Sequence, residues 1–256
     1  TVGASVVLLS ATLPKRTRRQ LLEAYAGVTQ DDVPETSYPA ITWALEGQIG
    51  TLPVESRVKR VVMLQWVDRD PGATVQALAK MLREGGCAAI ICNTVGRAQD
   101  VYRALRGASL VADQNLILFH ARYPPAWRAE TEEDVLSRFG KAGERPAKAV
   151  VVATQVIEQS LDLDFDVMIS DLAPVDLLLQ RAGRLHRHER EHRPEPLKSP
   201  RLLIVRPGEQ NEVFDFGPDE WIYDRYVLLR SFLALRDRRN IKLPADTEAL
   251  IETVYG

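Results

Sequence analysis

The sequence predicts an α/β protein with a mostly parallel sheet and helices on both faces. Short apolar segments recur along the 256 residues, and amphipathic segments of helical length separate them. Several of these segments are continuous apolar runs, such as Lys148–Ala153, which is the pattern of parallel strands covered on both faces. Hydrophobic residues make up 45% and charged residues 27% of the chain, an ordinary balance for a globular fold.

The first predicted elements are a strand over Ser5–Ser10 and a helix over residues 15–26. Pro14 suits the first turn of that helix and Gly27 its C-terminal cap. Because one strand and one helix cannot bury both faces of the strand, we assign residues 1–28 to the end of a preceding domain.

The alternation of strands and helices continues from about residue 40. Predicted strands cover residues 41–45, 58–67, 87–92, 116–119, 148–153, 167–170 and 201–205. Predicted helices cover residues 74–83, 97–105, 126–139 and 176–186. This pattern assigns residues 29–210 to one α/β domain.

The C-terminal part has a different composition. The charged, proline-bearing segment 186–200 indicates an exposed loop. Apolar residues at helical spacing predict a helix over residues 221–239, and we assign residues 211–256 to a linker towards a further domain.

Composition excludes few partners. The net charge of -2 is uninformative, because a basic groove can lie on an acidic body. The sequence has no apolar run of about eighteen residues and no signal-peptide pattern, which predicts a cytoplasmic protein without a membrane span. Cys87 and Cys92 lie in one apolar run and are expected to be buried hydrophobic residues.

The strongest chemical signal is the segment Gln180–Arg187, QRAGRLHR. Its arginines recur every three residues, which on a helix places their guanidiniums on one side, where they can meet phosphate oxygens. A solvated basic face is the alternative. It is disfavoured because apolar residues at the start of the same predicted helix would bury that helix and hold the arginines in position.

This segment resembles the sixth motif of superfamily 2 helicases, Q-R-x-G-R-x-x-R, at all five specified positions. The resemblance implies a RecA-like fold and the second motor domain of an ATP-dependent helicase. It implies that Arg184 and Arg187 are arginine fingers for the γ-phosphate of ATP. It also places Gln180, Arg181 and Gly183 in the ATP contact network between the motor domains.

Other segments resemble further helicase motifs in the expected order. Ser10-Ala11-Thr12 is similar to the third motif, which couples hydrolysis to movement. Residues 153–162 are similar to the fifth motif, which implies that Thr154 contacts a nucleic-acid phosphate, that Gln159 lies near the cleft, and that Asp162 accepts a hydrogen bond from the ribose. We interpret Asp164 and Asp166 as loop and cap residues rather than metal ligands, because the pattern of a calcium loop is absent.

The fourth motif is matched by Asn93-Thr94, with Arg97 one turn further on. Residues 119–123 resemble its companion, which implies that His120 and Arg122 contact phosphates. A core or capping role is the alternative for His120.

The segments LFHARY, ATQVIEQSLDLDFD and DLAPVDLLLQRAGRLHRH together resemble the helicase portion of the CRISPR-associated type I helicase-nuclease, over about residues 5–206. This resemblance implies ATP with Mg²⁺ as cofactor and single-stranded DNA as substrate. It implies, as partners, a Cascade-type surveillance complex with guide RNA and the first motor and nuclease domains of the same protein.

The 256 residues contain no GxxxxGK[ST] phosphate loop, no Asp-Glu-x-His or Asp-Glu-x-Asp run after a strand, and no His-Asp pair. We therefore expect this stretch alone to be inactive. Another superfamily 2 DNA or RNA helicase, or a non-catalytic nucleotide-binding adaptor, stays open as an alternative. A preference for strands bearing 2′-hydroxyls would favour an RNA helicase. An adaptor would tolerate loss of Arg184 and Arg187.

Overall fold

A computed structural model describes residues 5–27, 34–45, 48–56, 59–158, 162–210 and 213–256. The chain divides into two compact units, one formed by residues 61–241 and the other by residues 1–60 with 242–256. These units have other bounds than the three predicted domains, whose assignment stays a prediction. All predicted site residues except Ser10, Ala11 and Thr12 fall in the range of the larger unit.

The smaller unit contains helices α1 (Lys15–Ala26) and α7 (Thr247–Tyr255), and an antiparallel hairpin of β1 (Ala40–Leu45) and β2 (Gln48–Pro53). Gly27 has a φ of 65° and ends α1, as predicted, because other residues are strained in this conformation. Gly50 lies opposite Trp43, and a Cβ there would approach the indole to 2.2 Å. A side chain at position 50 would therefore force the Trp43 indole to shift.

The larger unit is built on a seven-stranded sheet. In order across the sheet, the strands are β11 (Asn240–Leu243), β3 (Arg60–Val67), β8 (Arg201–Val205), β7 (Val167–Ser170), β4 (Gly86–Ile91), β6 (Lys148–Ala153) and β5 (Leu116–Phe119). The six strands from β3 to β5 pair in parallel. The predicted α/β fold with a mostly parallel sheet is confirmed.

Helices connect and flank these strands. They are α2 (Pro71–Met81), α3 (Val95–Gly107), α4 (Pro125–Phe139), α5 (Val175–Ala182) and α6 (Arg225–Leu235). Asp70 and Thr94 cap α2 and α3 by accepting hydrogen bonds from backbone N–H groups of the first turn. Every residue of β4 is buried, which explains why its sequence is apolar throughout rather than alternating.

The predicted strand over Ser5–Ser10 is wrong. These residues form no strand, and Val7 and Leu9 are 81% and 94% exposed. Apolar composition alone does not make a strand, because its backbone groups need a partner, and none of the described strands pairs with this segment.

The predicted helix over residues 221–239 is shorter than expected. Asp224 accepts hydrogen bonds from the N–H groups of Tyr226 and Val227, which starts α6 at Arg225. The helix ends at Leu235, and β11 and α7 follow it. Two short strands, β9 (Gly208–Gln210) and β10 (Val213–Asp215), also pair antiparallel in this part of the chain. The predicted linker is therefore not a single helix.

Candidate functional site

The predicted nucleic-acid contacts lie where three strands end. β4, β6 and β5 are adjacent and parallel, so the residues that follow them share one edge of the sheet. We call this region the carboxyl edge, and it consists of Asn93, Thr94, His120, Arg122 and Thr154. The structure therefore brings these five predicted residues to one edge.

Asn93 is only 2% exposed and holds its loop in place. Its backbone N–H donates to Asp171 Oδ2 at 2.9 Å, and its Nδ2 donates to the carbonyl of Leu172 at 2.7 Å. The predicted phosphate contact through the Asn93 side chain does not fit this burial. Thr94 is half-buried and caps α3.

Arg97 is committed to a buried carboxylate. Its Nε donates to Asp171 Oδ1 at 2.5 Å and its Nη1 donates to the carbonyl of Arg69 at 2.7 Å, and its side chain is 11% exposed. Arg69 in turn donates to Asp219, whose pKa is raised by burial. In this structure Arg97 therefore fixes the position of α3 rather than reaching towards a phosphate.

His120 and Arg122 differ in exposure. His120 is 3% exposed, stacks on Tyr123 with ring centroids 4.2 Å apart, and has no hydrogen-bond partner for either ring nitrogen among the described residues. Burial lowers the pKa of His120 below its ordinary value, which keeps the ring neutral near pH 7. The alternative of a core histidine therefore fits the structure, while Arg122 is exposed and stays the candidate cation.

Thr154 is 4% exposed, and its N–H donates to the carbonyl of Phe119 at 3.1 Å, which ties the ends of β6 and β5 together. Beside it, Gln155 donates to the carbonyl of Asn93 at 3.0 Å and to the Tyr223 hydroxyl at 3.2 Å. Gln155 lies within the fifth motif, but the motif assigned it no contact, and no sequence pattern pointed to Tyr223, because the two residues come together only in the fold.

The helix that carries the sixth motif is shorter than predicted. α5 ends at Ala182 rather than His186, and the residues after it, Gly183–Arg187, form what we call the arginine turn. The arginine turn does not continue the α-helical hydrogen-bond pattern, because Phe165 N–H donates to the carbonyl of Arg184 and His186 N–H donates to the carbonyl of Phe165. The prediction that the three arginines share one face of a helix is therefore wrong.

Arg181 lies on α5 and is fully buried. Its Nη2 lies 2.6 Å from Glu158 Oε1, and its Nη1 donates to Ser170 Oγ at 2.6 Å. A side chain without exposed surface cannot touch a nucleotide in this arrangement. Arg181 instead fastens α5 to β7 and to the segment after β6, which corrects its predicted direct role.

Arg184 and Arg187 lie on the arginine turn. Arg184 Nη2 donates to the carbonyl of Glu158 at 2.5 Å, and burial together with the charge of Arg187 lowers the Arg184 pKa. Arg187 pairs with Asp162, and the two side chains are 45% and 51% exposed. Two predicted phosphate ligands and the predicted ribose ligand are therefore close together.

The remaining residues that were predicted to bind nucleotide or to couple hydrolysis to movement have fewer defined contacts. Gln180 is exposed on the last turn of α5, and Gly183 opens the arginine turn. Gln159 lies outside the described residues. In the smaller unit Thr12 N–H donates to Ser10 Oγ at 3.2 Å and Tyr38 donates to the carbonyl of Ala11 at 2.7 Å. Their coupling role stays a prediction.

Asp164 and Asp166 are more than the loop and cap residues predicted from the sequence. Both side chains are buried. Asp164 pairs with Arg145, Arg190 and Arg193, and Asp166 pairs with Arg145 and Arg193. Burial raises the pKa of Asp164, but the hydrogen bond from Arg190 and the nearby positive charges outweigh it and hold that pKa below its ordinary value. The segment 186–200 is therefore anchored and is not simply the exposed loop that was predicted.

His186 gives the arginine turn a pH-dependent stability. Burial and the charge of Arg193 lower its pKa from 6.5 to about 4. The unfolded chain therefore binds more protons than the folded protein between these two values, so stability falls as the pH drops from 6.5 towards 4. At about 1.4 kcal/mol per pKa unit, we expect a loss on the order of 3 kcal/mol across this window.

This expectation is checked by urea unfolding at about pH 7 and about pH 5. His186→Asn should weaken the pH dependence, because asparagine does not titrate and tolerates the φ of 50° at this position. His192→Asn, at an exposed position of the same segment, is the matched control and should behave as wild type. An unchanged pH dependence of stability in His186→Asn would contradict the conclusion that His186 causes it.

Two further findings concern membranes and metals. Within the described ranges, no helix combines the length and apolar character needed to cross a bilayer. The same residues contain no group of three or more His, Cys, Asp or Glu side chains placed to hold a metal ion.

A mostly parallel sheet with helices on both faces, and with the matched motifs at its carboxyl edge and on the arginine turn, is the arrangement of a RecA-like domain. Residues 84–190 match the family of the CRISPR-associated nuclease/helicase Cas3, C-terminal. The CRISPR-associated endonuclease/helicase Cas3 of Thermus thermophilus is 41% identical over 99% of this chain and 31% of the relative. The chain is thus a relative of the C-terminal helicase part of Cas3, and the resemblance predicted from its motifs is confirmed.

Solved structures agree with this relationship. The crystal structure of a CRISPR-associated protein superposes with a TM-score of 0.91 and 49% identity, over 98% of this chain and 29% of that one. The crystal structure of T. fusca Cas3 with ATP superposes with a TM-score of 0.84 and 36% identity, over 95% of this chain and 31% of that one. A chain of a CRISPR RNA-guided surveillance complex in the pre-nicking state superposes with a TM-score of 0.81 and 36% identity, over 98% of this chain and 34% of that one. The chain spans about a third of the length of these relatives.

Proposed function

We propose that this chain is the C-terminal motor half of an ATP-dependent single-stranded-DNA helicase or translocase that acts in CRISPR interference. The observation that carries the proposal is the arginine turn, where Arg184 and Arg187 lie together with Asp162 beside Arg187. Two guanidiniums and one carboxylate match the phosphates and the ribose of a nucleotide. The similarity to T. fusca Cas3 with ATP supports the same ligand.

In this proposal Arg187 exchanges one anion for another. Without nucleotide it pairs with Asp162 at the surface, where such a pair contributes little stability, so releasing it costs little. Arg187 then meets the γ-phosphate, and Asp162 becomes able to accept a hydrogen bond from the ribose. Arg184, held by the carbonyl of Glu158, supplies the second positive charge. ATP hydrolysis supplies the energy for movement, and Mg²⁺ is held by the first motor domain.

The carboxyl edge is proposed to grip one DNA strand. Arg122 supplies an exposed charge there, and the loops of the fourth and fifth motifs are held in shape by buried side chains such as Asn93 and Asp171. Contacts to phosphates carry no base information, so target choice is assigned to the guide RNA of a Cascade-type complex. The similarity to a chain of a surveillance complex supports this partner. The first motor and nuclease domains of the same protein complete the proposed machine.

Binding of single-stranded DNA is expected to depend on salt and not on base sequence. The log-log slope should be about -0.7 for each phosphate contacted. Arg122→Ala should make the slope shallower by about 0.7, because one exposed charge is removed. Fluorescence titration of the full-length protein that carries this chain, over a series of salt concentrations, measures the slope.

The control for this titration is Arg83→Ala. Arg83 is 65% exposed and precedes β4, so it lies at the opposite edge of the sheet, and its removal should leave the slope unchanged. An equal change in both variants would indicate a general charge effect. Tighter binding of RNA than of DNA would instead favour an RNA helicase.

A further inference from the structure

Three aspartates at alternate positions, the first of which ends the fifth motif, pair with the segment that carries the arginine turn. Asp162 pairs with Arg187 and His188, and Asp164 pairs with Arg190 and Arg193. The backbones are joined between these pairs, since Phe165 N–H donates to the carbonyl of Arg184 at 3.1 Å and the carbonyl of Phe165 accepts from His186 N–H at 3.0 Å. Residues 162–166 and 184–193 are therefore fastened along their length.

Asp166 connects these two paired segments to the sheet. Its Oδ2 accepts a hydrogen bond from Cys87 N–H at 2.7 Å, at the start of β4, and lies 2.6 Å from Arg145 Nη2. Arg193 pairs with the other carboxylate oxygen. The side chains of Asp164 and Asp166 are at most 2% exposed. The cluster is thus fixed to the buried core and not to the surface.

The exposed ion pair of Asp162 and the buried ion pairs of Asp164 and Asp166 have different roles. The Asp162–Arg187 pair is half exposed and, in the proposed function, opens when Arg187 meets a phosphate. The turn then loses one of its side-chain anchors. Buried ion pairs are poor sources of stability, but removal of one partner is costly, so the paired segments tolerate few alternative arrangements. The pairs at Asp164 and Asp166 are placed to keep these segments in register.

We propose that Asp164 and Asp166, together with Arg145, Arg190 and Arg193, form an ion cluster that positions Arg187 for nucleotide hydrolysis. The members of this cluster are positioning residues, since they act through the arginine turn. The inference rests on the proposed function, because it presumes that Arg187 acts on ATP.

The test compares Arg193→Gln and Arg190→Gln in the full-length protein that carries this chain, each with and without Arg187→Ala. Single-turnover ATP hydrolysis, the KM for ATP and the melting temperature are measured. In the wild-type background we expect Arg193→Gln to lower the hydrolysis rate about ten-fold while the KM changes by less than about two-fold. In the Arg187→Ala background the same change should add less than about two-fold, because both act through one step.

Arg106→Gln is the matched control, because it breaks an exposed pair with Asp113 and should leave the rate unchanged. If Arg193→Gln does not fold, Arg190→Gln, which leaves two arginines on Asp164, is judged by the same criteria. A normal rate in the folded variant overturns the inference, and so does an equal loss in both backgrounds. If Arg187→Ala itself hydrolyses ATP normally, the proposed function fails instead.

Discussion

Replacing Arg184 or Arg187 by alanine in the full-length protein is expected to lower single-strand-stimulated ATP turnover by about 10³-fold or more. Each guanidinium would neutralise negative charge that develops on the transferred phosphoryl group, and water replaces it poorly in a closed cleft. The expected loss lies in kcat, because a group that acts mainly in the transition state contributes less to binding of the ground state. Steady-state turnover at saturating DNA measures it.

Arg103→Ala is the control for this comparison. Arg103 is 70% exposed on α3 and pairs with Asp100 within the same helix, so turnover should stay within about two-fold of wild type. Near-normal turnover in both Arg184→Ala and Arg187→Ala would mean that the arginine turn is a structural or docking surface. The adaptor alternative would then replace the motor function.

Replacing Arg181 by methionine is expected to destabilise the protein by about 3 to 5 kcal/mol. Methionine keeps part of the volume but leaves the carboxylate of Glu158, which is 11% exposed, without its cation, and leaves Ser170 Oγ without its donor. Removal of one partner from a buried charged pair is among the most costly substitutions. Chemical unfolding followed by circular dichroism measures the change.

The neighbouring substitution Gln180→Ala is the control, because Gln180 is exposed on the same helix and should change stability by less than about 0.5 kcal/mol. A loss below about 1 kcal/mol in Arg181→Met would show that Arg181 is not the structural link between α5 and β7.

The strands at the centre of the sheet could be predicted closely from the sequence. β6, β7 and β8 have the predicted bounds, because a parallel strand covered on both faces is a short apolar run between polar residues. The same signal failed at Ser5–Ser10, where apolar residues have no described partner strand. Composition indicates which side chains of a segment can be buried. Whether another strand lies beside the segment depends on the tertiary structure.

The site could be predicted as residue types but not as contacts. Arg184 and Arg187 follow from a motif, whereas the end of α5 depends on backbone bonds to Phe165, which lies far away in the sequence. The burial of Arg181 and the pairing of Asp164 with Arg193 depend in the same way on the fold. Periodicity assumed that the helix continues to His186, although Gly183, which caps α5, is a residue type that favours helix ends.

The central claim, that Arg187 acts on the transferred phosphoryl group, is tested most directly by comparing two ligands. The affinities of wild type and Arg187→Ala are measured in the full-length protein for ADP and for ADP with aluminium fluoride, which mimics the transition state. An arginine finger predicts that the substitution weakens binding of the mimic by at least about 10²-fold and that of ADP by less than about two-fold. Equal effects on the two ligands, or none on either, would contradict the claim.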